Sequence, residues 1–153
     1  MIVRKIREEE LRRAEEVFHL SFEFPMQDER TNEEMKRDIL GTPCGRFERQ
    51  YMERWAAFED DDQTMISVIT ATPFPVYFAG QTVAMRGIGG VSTLPAYRRR
   101  GAVRACFAAA LREMREEGTL FSYLYHFSTA YYAQFGYGMG CEQMNTCNPV
   151  ADH

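Results

Sequence analysis

Apolar residues in the first third of the chain recur at helical spacing. Leu11, Ala14, Val17, Phe18 and Phe22 fall on one side of a helix drawn through EEELRRAEEVFHLSF, with the charges on the other. The preceding MIVRKI reads as a short strand. A second helix is expected over TNEEMKRDILG, where Thr31 and Glu34 have capping-box spacing and Gly41 is placed to end it. EFPMQDER, between the helices, reads as a polar loop, and PCGRFERQY fits no single pattern.

The middle of the chain changes period. RWAAFEDDDQTMISVITATPF reads as two strands joined by an acidic turn at Asp60 to Gln63. Pro73 and Pro75 then suggest an edge, a bulge or a strand end. VYFAGQTVAMRGIGGVSTLP resumes with a turn at Gly80 and another strand. GIGG, residues 87 to 90, is too glycine-rich for an uninterrupted central strand, so a bend or splay is expected there.

From Gly101 onward Val103, Phe107, Ala110, Leu111 and Met114 form an apolar stripe that ends at Gly118. LFSYLYHF follows as an aromatic-rich strand. STAYYAQFG reads as a short helix with Ser128 as N-cap and Gly136 as stop, and YGMGCEQMNTCNPV offers one last weak strand. The order is strand, two helices, three strands, helix, strand, helix, weak strand. It predicts a single α/β domain of mixed type, with a parallel pair in the strand–helix–strand unit from 87 to 127 joined right-handedly.

Composition narrows the function. At 153 residues with 45% hydrophobic and 26% charged residues, the chain is sized for one packed domain. No stretch approaches a membrane span, and the N-terminus lacks a signal-peptide core, so the cytoplasm is the expected compartment and no membrane partner is expected. The formal charge of −4 argues against a nucleic-acid partner. Cys44, Cys106, Cys141 and Cys147 form no C-x-x-C pair and read as reduced and structural; a zinc site from Cys141, Cys147 and His153 has no family spacing behind it.

One local feature stands against the acidic total: PAYRRRGAVRACF, three arginines and a glycine at the start of a helix. A helix start carries free N–H groups and roughly half a positive charge. Phosphate is favoured there, Gly101 permits close approach, and guanidiniums add bidentate hydrogen bonds. Neither a P-loop nor a dinucleotide fingerprint is present. Spacing alone leaves open both an anion site and an idle charged helix start.

The stretch VSTLPAYRRRGAVRA resembles the acetyl-CoA-binding motif [QR]-x-x-G-x-[GA] of the GNAT N-acetyltransferases. Arg98 and Gly101 match it, and Val103 departs at the last position. With AYYAQFGYG downstream, GIGGVSTLPAYRRRGAVRACFAAALREM is similar more narrowly to the Eis, or enhanced intracellular survival, acetyltransferases, which favour bulkier residues after the R-R-R-G. The resemblance implies a GNAT domain over 1–153, a central mixed sheet with a splayed strand pair and flanking helices, as the N-terminal part of a longer Eis-like protein.

It also implies site residues. The backbone at Val91, Ser92 and Thr93 would pair with the pantetheine arm of acetyl-CoA, where the plain alternative is a buried strand. The N–H groups of Arg99, Arg100, Gly101, Ala102, Val103 and Arg104 would hold the pyrophosphate. The side chains of Arg98 to Arg100 would screen it or reach the 3′-phosphate. Phe127 and Ser128 would flank the acetyl and pantetheine end, in an FSTA sequence that replaces the family's usual small and acidic residues. Tyr132 aligns with the family's general acid, with Tyr131 as competitor and aromatic packing as the plain alternative.

The activity implied is transfer of acetyl from acetyl-CoA to a primary amine, on a small molecule or a protein lysine, by direct attack. Eis-type enzymes use their C-terminal carboxylate as base, on a domain this chain does not contain. Glu23, Asp28 and Glu29, in the loop that borders the acceptor site of GNAT folds, are substitutes or simply solvated carboxylates. The rival readings are a non-catalytic acyl-CoA-binding module and a nucleic-acid binder using Arg98 to Arg100. His19, His126 and His153 show no triad spacing. Full-length relatives form hexamers, so a homo-oligomer stays open, although the missing domains help build that assembly.

Overall fold

The computed structural model describes residues 1–23, 26, 29–41 and 53–141. Among them, one sheet runs in the order β1 (Ile2–Lys5), β2 (Arg54–Phe58), β3 (Met65–Phe78), β4 (Gln81–Thr93) and β5 (Phe121–Leu124). The first three pairings are antiparallel, and β4 with β5 is the parallel pair expected. The helices are α1 (Leu11–Ser21), α2 (Asn32–Gly41), α3 (Ala102–Glu117) and α4 (Thr129–Ala133). PCGRFERQY lies outside the described residues. So do Cys44, Cys147 and His153, and residues 142–150 of the weak last strand. Residues 137–141 are not in a strand.

Alternate residues of the strands supply two clusters on opposite faces. Ala57, Ile69, Ala71 and Ile88 pack under Cys106, Phe107, Ala110 and Met114 of α3. Ala56, Phe58, Met65 and Val68 pack under Leu11, Ala14 and Val17 of α1 and Met35 of α2. The buried stripe of α3 is turned slightly from the expected one, leaving Val103 and Leu111 partly buried on its flank. On α1, Ser21 rather than Phe22 completes the buried face. Its hydroxyl donates to the Val17 carbonyl at 2.6 Å, and Phe22 is half exposed beside the cleft described below.

Local signals read from sequence hold. Thr31 N–H donates to Glu34 Oε2 at 2.7 Å, and Glu34 N–H donates to Thr31 Oγ1 at 3.3 Å. Asp61 accepts from the N–H groups of Gln63 and Thr64, closing the acidic turn. Ala79 and Gly80, at φ of 50° and 77°, make the two-residue turn between β3 and β4. Gly118 ends α3 at φ 78°, with Thr119 N–H reaching the Met114 carbonyl.

β3 runs straight through both prolines. Its pairing with β2 ends at Thr70, while pairing with β4 continues to Phe78. Ala71 N–H points toward the β2 side, to the Glu53 carbonyl. Pro73 and Pro75 share that parity, so their missing N–H groups fall on the side of the strand that has no partner strand among the described residues. Of the three options, edge is the one realised.

A buried ion network ties the sheet to α3. Arg86 on β4, 9% exposed, donates to Glu53, to Glu117 at 2.7 Å and to the Ala71 carbonyl at 3.1 Å. Lys5 bridges Glu53 at 3.3 Å and Glu113 at 2.8 Å. Removing the guanidinium strands a shielded carboxylate. Arg86→Leu is therefore expected to lower unfolding free energy by about 3 kcal/mol in urea denaturation; a loss below about 1 kcal/mol would show that the network is solvated.

Candidate functional site

The cleft begins where two strands part. β4 and β5 pair from Met85–Phe121 to Ile88–Leu124 and no further. β5 stops four residues long, and Tyr125, His126 and Phe127 of the expected longer strand are exposed outside it. β4 continues to Thr93, so among the described residues its edge beyond Ile88 has no neighbour on that side.

Glycine explains the divergence. Between the pairs Thr70–Gly89 and Val68–Ser92, β3 has one residue, Ile69, and β4 has two, Gly90 and Val91. This is a bulge, and Gly90 takes φ 57°. A side chain there would also meet Thr70 Oγ1 at 3.2 Å. Above the bulge, Ser67 donates to the Ser92 carbonyl at 2.8 Å and lies 3.1 Å from Thr93 Oγ1, fixing the free edge of β4 against β3.

The chain then makes a 3₁₀ turn at Pro95–Tyr97 and enters α3 through Arg99 at φ 64° and Gly101 at φ 77°. The first helical bond runs from Ala105 N–H to the Gly101 carbonyl. The N–H groups of Ala102, Val103 and Arg104 therefore have no acceptor within the helix and point out of its start. These walls enclose a cleft of about 490 Å³, lined by Val91, Ser92 and Thr93 on the strand side and Gly101 to Arg104 on the helix side. Phe22, Phe127 and Tyr131 close its ends.

The three arginines separate into different roles. Arg98 lines the cleft and donates to the Ser21 carbonyl at 3.0 Å, locking the arginine turn to α1. Arg99 lines the cleft, exposed, and has no ion-pair partner among the described residues. Arg100 turns away to Glu59 at 2.6 Å, with Tyr97 beneath it, and does not line the cleft. The left-handed Arg99 between them sends its neighbours in different directions. Arg104 donates to Gln134 Oε1 at 2.8 Å, joining α3 to α4.

The downstream residues divide as well. Phe127 lines the cleft, whereas Ser128 caps α4 by accepting from Tyr131 N–H at 3.3 Å and does not line it. Tyr131 faces the cleft. Tyr132, 5% exposed, packs on Phe107 and faces a second cavity of about 520 Å³ lined by Ser122, Leu124, His126 and Tyr137. Burial pushes both phenols up, opposed at Tyr131 by Arg104 and reinforced at Tyr132 by Tyr131 and Tyr137. Both stay protonated at neutral pH.

Glu23 and Glu29 are exposed and line neither cavity, and Asp28 lies outside the described residues. No group of three or more metal-ligating side chains occurs among the described residues. Burial pushes the Cys106 thiol up to about 12, in keeping with a structural cysteine. No helix among the described residues is long and apolar enough to cross a membrane. The sequence gave no signal for Phe22 and Gln134 as cleft residues, because nothing local marks which helix end will border a distant strand.

Space around Gly101 is open, since a Cβ there would meet no atom within 4 Å. Gly101→Ala should therefore fold, with about 1–2 kcal/mol lost to the left-handed backbone alone. Urea denaturation checks this, and an unchanged midpoint would show that the turn relaxes to another conformation.

No curated protein matches the chain. Solved structures do. A conserved protein of Enterococcus faecalis V583, described as a probable N-acyltransferase, shares 26% identity at a TM-score of 0.68, over 88% of this chain and 31% of its own. Eis1 from Mycobacterium abscessus shares 20% at 0.68, over 90% and 32%. An acetyltransferase of Trypanosoma brucei shares 16% at 0.74, over 96% and 99%. The chain thus spans about a third of the first two and nearly all of the third. The family described as an acetyltransferase (GNAT) domain matches residues 2–140, which takes in every described strand and helix. The splayed sheet and the open N-terminus of α3 therefore belong to a member of the GNAT acetyltransferase family.

Proposed function

We propose that this chain transfers acetyl from acetyl-CoA to a primary amine by direct attack of the amine on the thioester. The observation that carries the reading is the meeting of two features in one cleft: the unpaired edge of β4 and the open N-terminus of α3. An extended amide-bearing arm ending in a pyrophosphate is the chemistry that uses both.

The residues fit that cofactor. The backbone of Val91, Ser92 and Thr93 offers alternating donors and acceptors to the arm, as an added strand would receive. The N–H groups of Ala102, Val103 and Arg104, with the helix dipole, suit the pyrophosphate. Arg99 is the arginine best placed to pair with phosphate, Arg98 holds the turn, and Arg100 is engaged by Glu59. Acetyl-CoA, when bound, supplies the acetyl group as an activated thioester.

A tyrosine of α4 then protonates the departing thiolate. Sequence resemblance favours Tyr132, and burial, which keeps its phenol protonated, supports a proton donor there. Tyr131 lines the cleft and is read as packing on the cofactor.

Calorimetric titration of acetyl-CoA tests the binding half. Micromolar affinity is expected, with Arg99→Ala weakening it roughly tenfold by loss of one charged contact. No binding by folded protein would overturn the reading. Thiol release with a panel of amines tests the chemistry: Tyr132→Phe should lower kcat by about 10²–10⁴ with little change in KM. The same loss in Tyr131→Phe instead would move the acid to Tyr131. Binding without transfer to any amine would make the chain a binding module.

A further inference from the structure

The direction of the backbone on the free edge of β4 is set by hydroxyls behind it. Leu94 N–H bonds to the Ile66 carbonyl at 2.9 Å, and Ser92 is the residue opposite Val68. By the alternation of an antiparallel ladder, the N–H and C=O of Ser92 turn to β3 and those of Thr93 turn to the cleft. Ser67 Oγ donates to the Ser92 carbonyl at 2.8 Å. A peptide group is planar and trans, so its C=O and the next residue's N–H point in opposite directions. Fixing the Ser92 carbonyl on the β3 side therefore fixes the Thr93 N–H on the cleft side.

The same relation recurs in the bulge. Ser92 Oγ donates to the Gly90 carbonyl at 3.0 Å, with the Val68 carbonyl farther off at 3.5 Å. The other end of that peptide is the N–H of Val91. This residue has no partner on β3, and it lies beyond the last pair with β5. The two hydroxyls work from opposite faces of the sheet, because Ser67 sits opposite Thr93 and Ser92 precedes Thr93 in the strand. Ser67 is fully buried and Ser92 is 3% exposed, so both act from behind the edge. The Ser67 hydroxyl also has its bonding capacity filled. Its proton goes to the Ser92 carbonyl, and it accepts from Thr93 Oγ1 at 3.1 Å and from the Cys106 thiol of α3. It is held in one orientation.

We propose that Ser67 and Ser92 are positioning residues for the pantetheine arm of the cofactor, each holding one peptide of β4 so that its N–H faces the arm. The N–H groups so aimed, of Thr93 and Val91, meet the arm's two amide carbonyls with no reordering of the strand. This rests on the acetyl-CoA reading above and names the hydroxyls behind its affinity.

The test compares acetyl-CoA with 3′-phospho-ADP, which keeps every phosphate of the cofactor and lacks the arm. Acetyl-CoA is titrated into the whole chain by calorimetry, and 3′-phospho-ADP is measured by its displacement of acetyl-CoA. Ser67→Ala and Ser92→Ala should each weaken acetyl-CoA about fivefold, the worth of one neutral hydrogen bond, and leave 3′-phospho-ADP within about twofold. Urea denaturation shows which variant is folded, and either one carries the test alone. Unchanged acetyl-CoA affinity in a folded variant, or equal weakening of both ligands, overturns the proposal and leaves the acetyl-CoA reading intact. Failure of either ligand to bind the wild-type chain overturns the cofactor reading as well.

Discussion

The architecture of the site depends on one constraint: the parallel pairing of β4 with β5 stops at Ile88 and Leu124. A strand edge inside a domain is normally paired or covered, because unpaired N–H and C=O groups are costly when shielded from water. Among the described residues the edge from Gly89 to Thr93 is unpaired, and it is stiffened from behind. The Gly90 bulge turns the strand, and Ser67, fully buried, grips the Ser92 carbonyl on the far side. The free groups are thus fixed in direction before any ligand arrives, which lowers the ordering cost of binding.

The second half of the site follows from the same strand. Once β4 ends, eight residues of 3₁₀ turn and left-handed loop carry the chain into α3, and Arg98 anchors that loop to the last turn of α1. The helix start is therefore tied to both faces of the sheet. Electrostatics sharpens it. On a chain with net charge −4, most basic groups near the sheet are neutralised, Arg4 by Glu10 and Asp62, Arg86 by Glu53 and Glu117, and Arg100 by Glu59. Arg99 keeps its charge facing the cleft.

Much of this was legible in the sequence because it is local. The capping box at Thr31, the acidic turn, the αL glycines and the apolar stripes of α1 and α3 are set within a few residues. The splay was legible for the same reason, from the glycines of GIGG. What was not legible is what depends on distant partners. Pro73 and Pro75 interrupt a strand only if it has neighbours on both sides, and nothing nearby says that pairing with β2 stops at Thr70. The division of labour among Arg98, Arg99 and Arg100 depends on Ser21 and Glu59, tens of residues away. The bond from Ser67 to the Ser92 carbonyl joins β3 to β4 across 25 residues and carries no motif at all.

The tyrosine pair shows where sequence resemblance and burial meet without coinciding. Consecutive residues on a helix point about 100° apart, so Tyr131 and Tyr132 cannot both face the cleft. Their rings lie edge to face at 5.0 Å, with Tyr131 lining the cleft and Tyr132 lining the second cavity. Burial raises the inner phenol's hold on its proton, with the neighbouring tyrosines adding to the effect. A donor meant for a thiolate gains from both, since it must remain protonated until charge develops on sulfur. In the proposed reaction the outer ring packs on the cofactor while the inner one holds the proton, so the two residues would act as one unit although only one of them exchanges a proton.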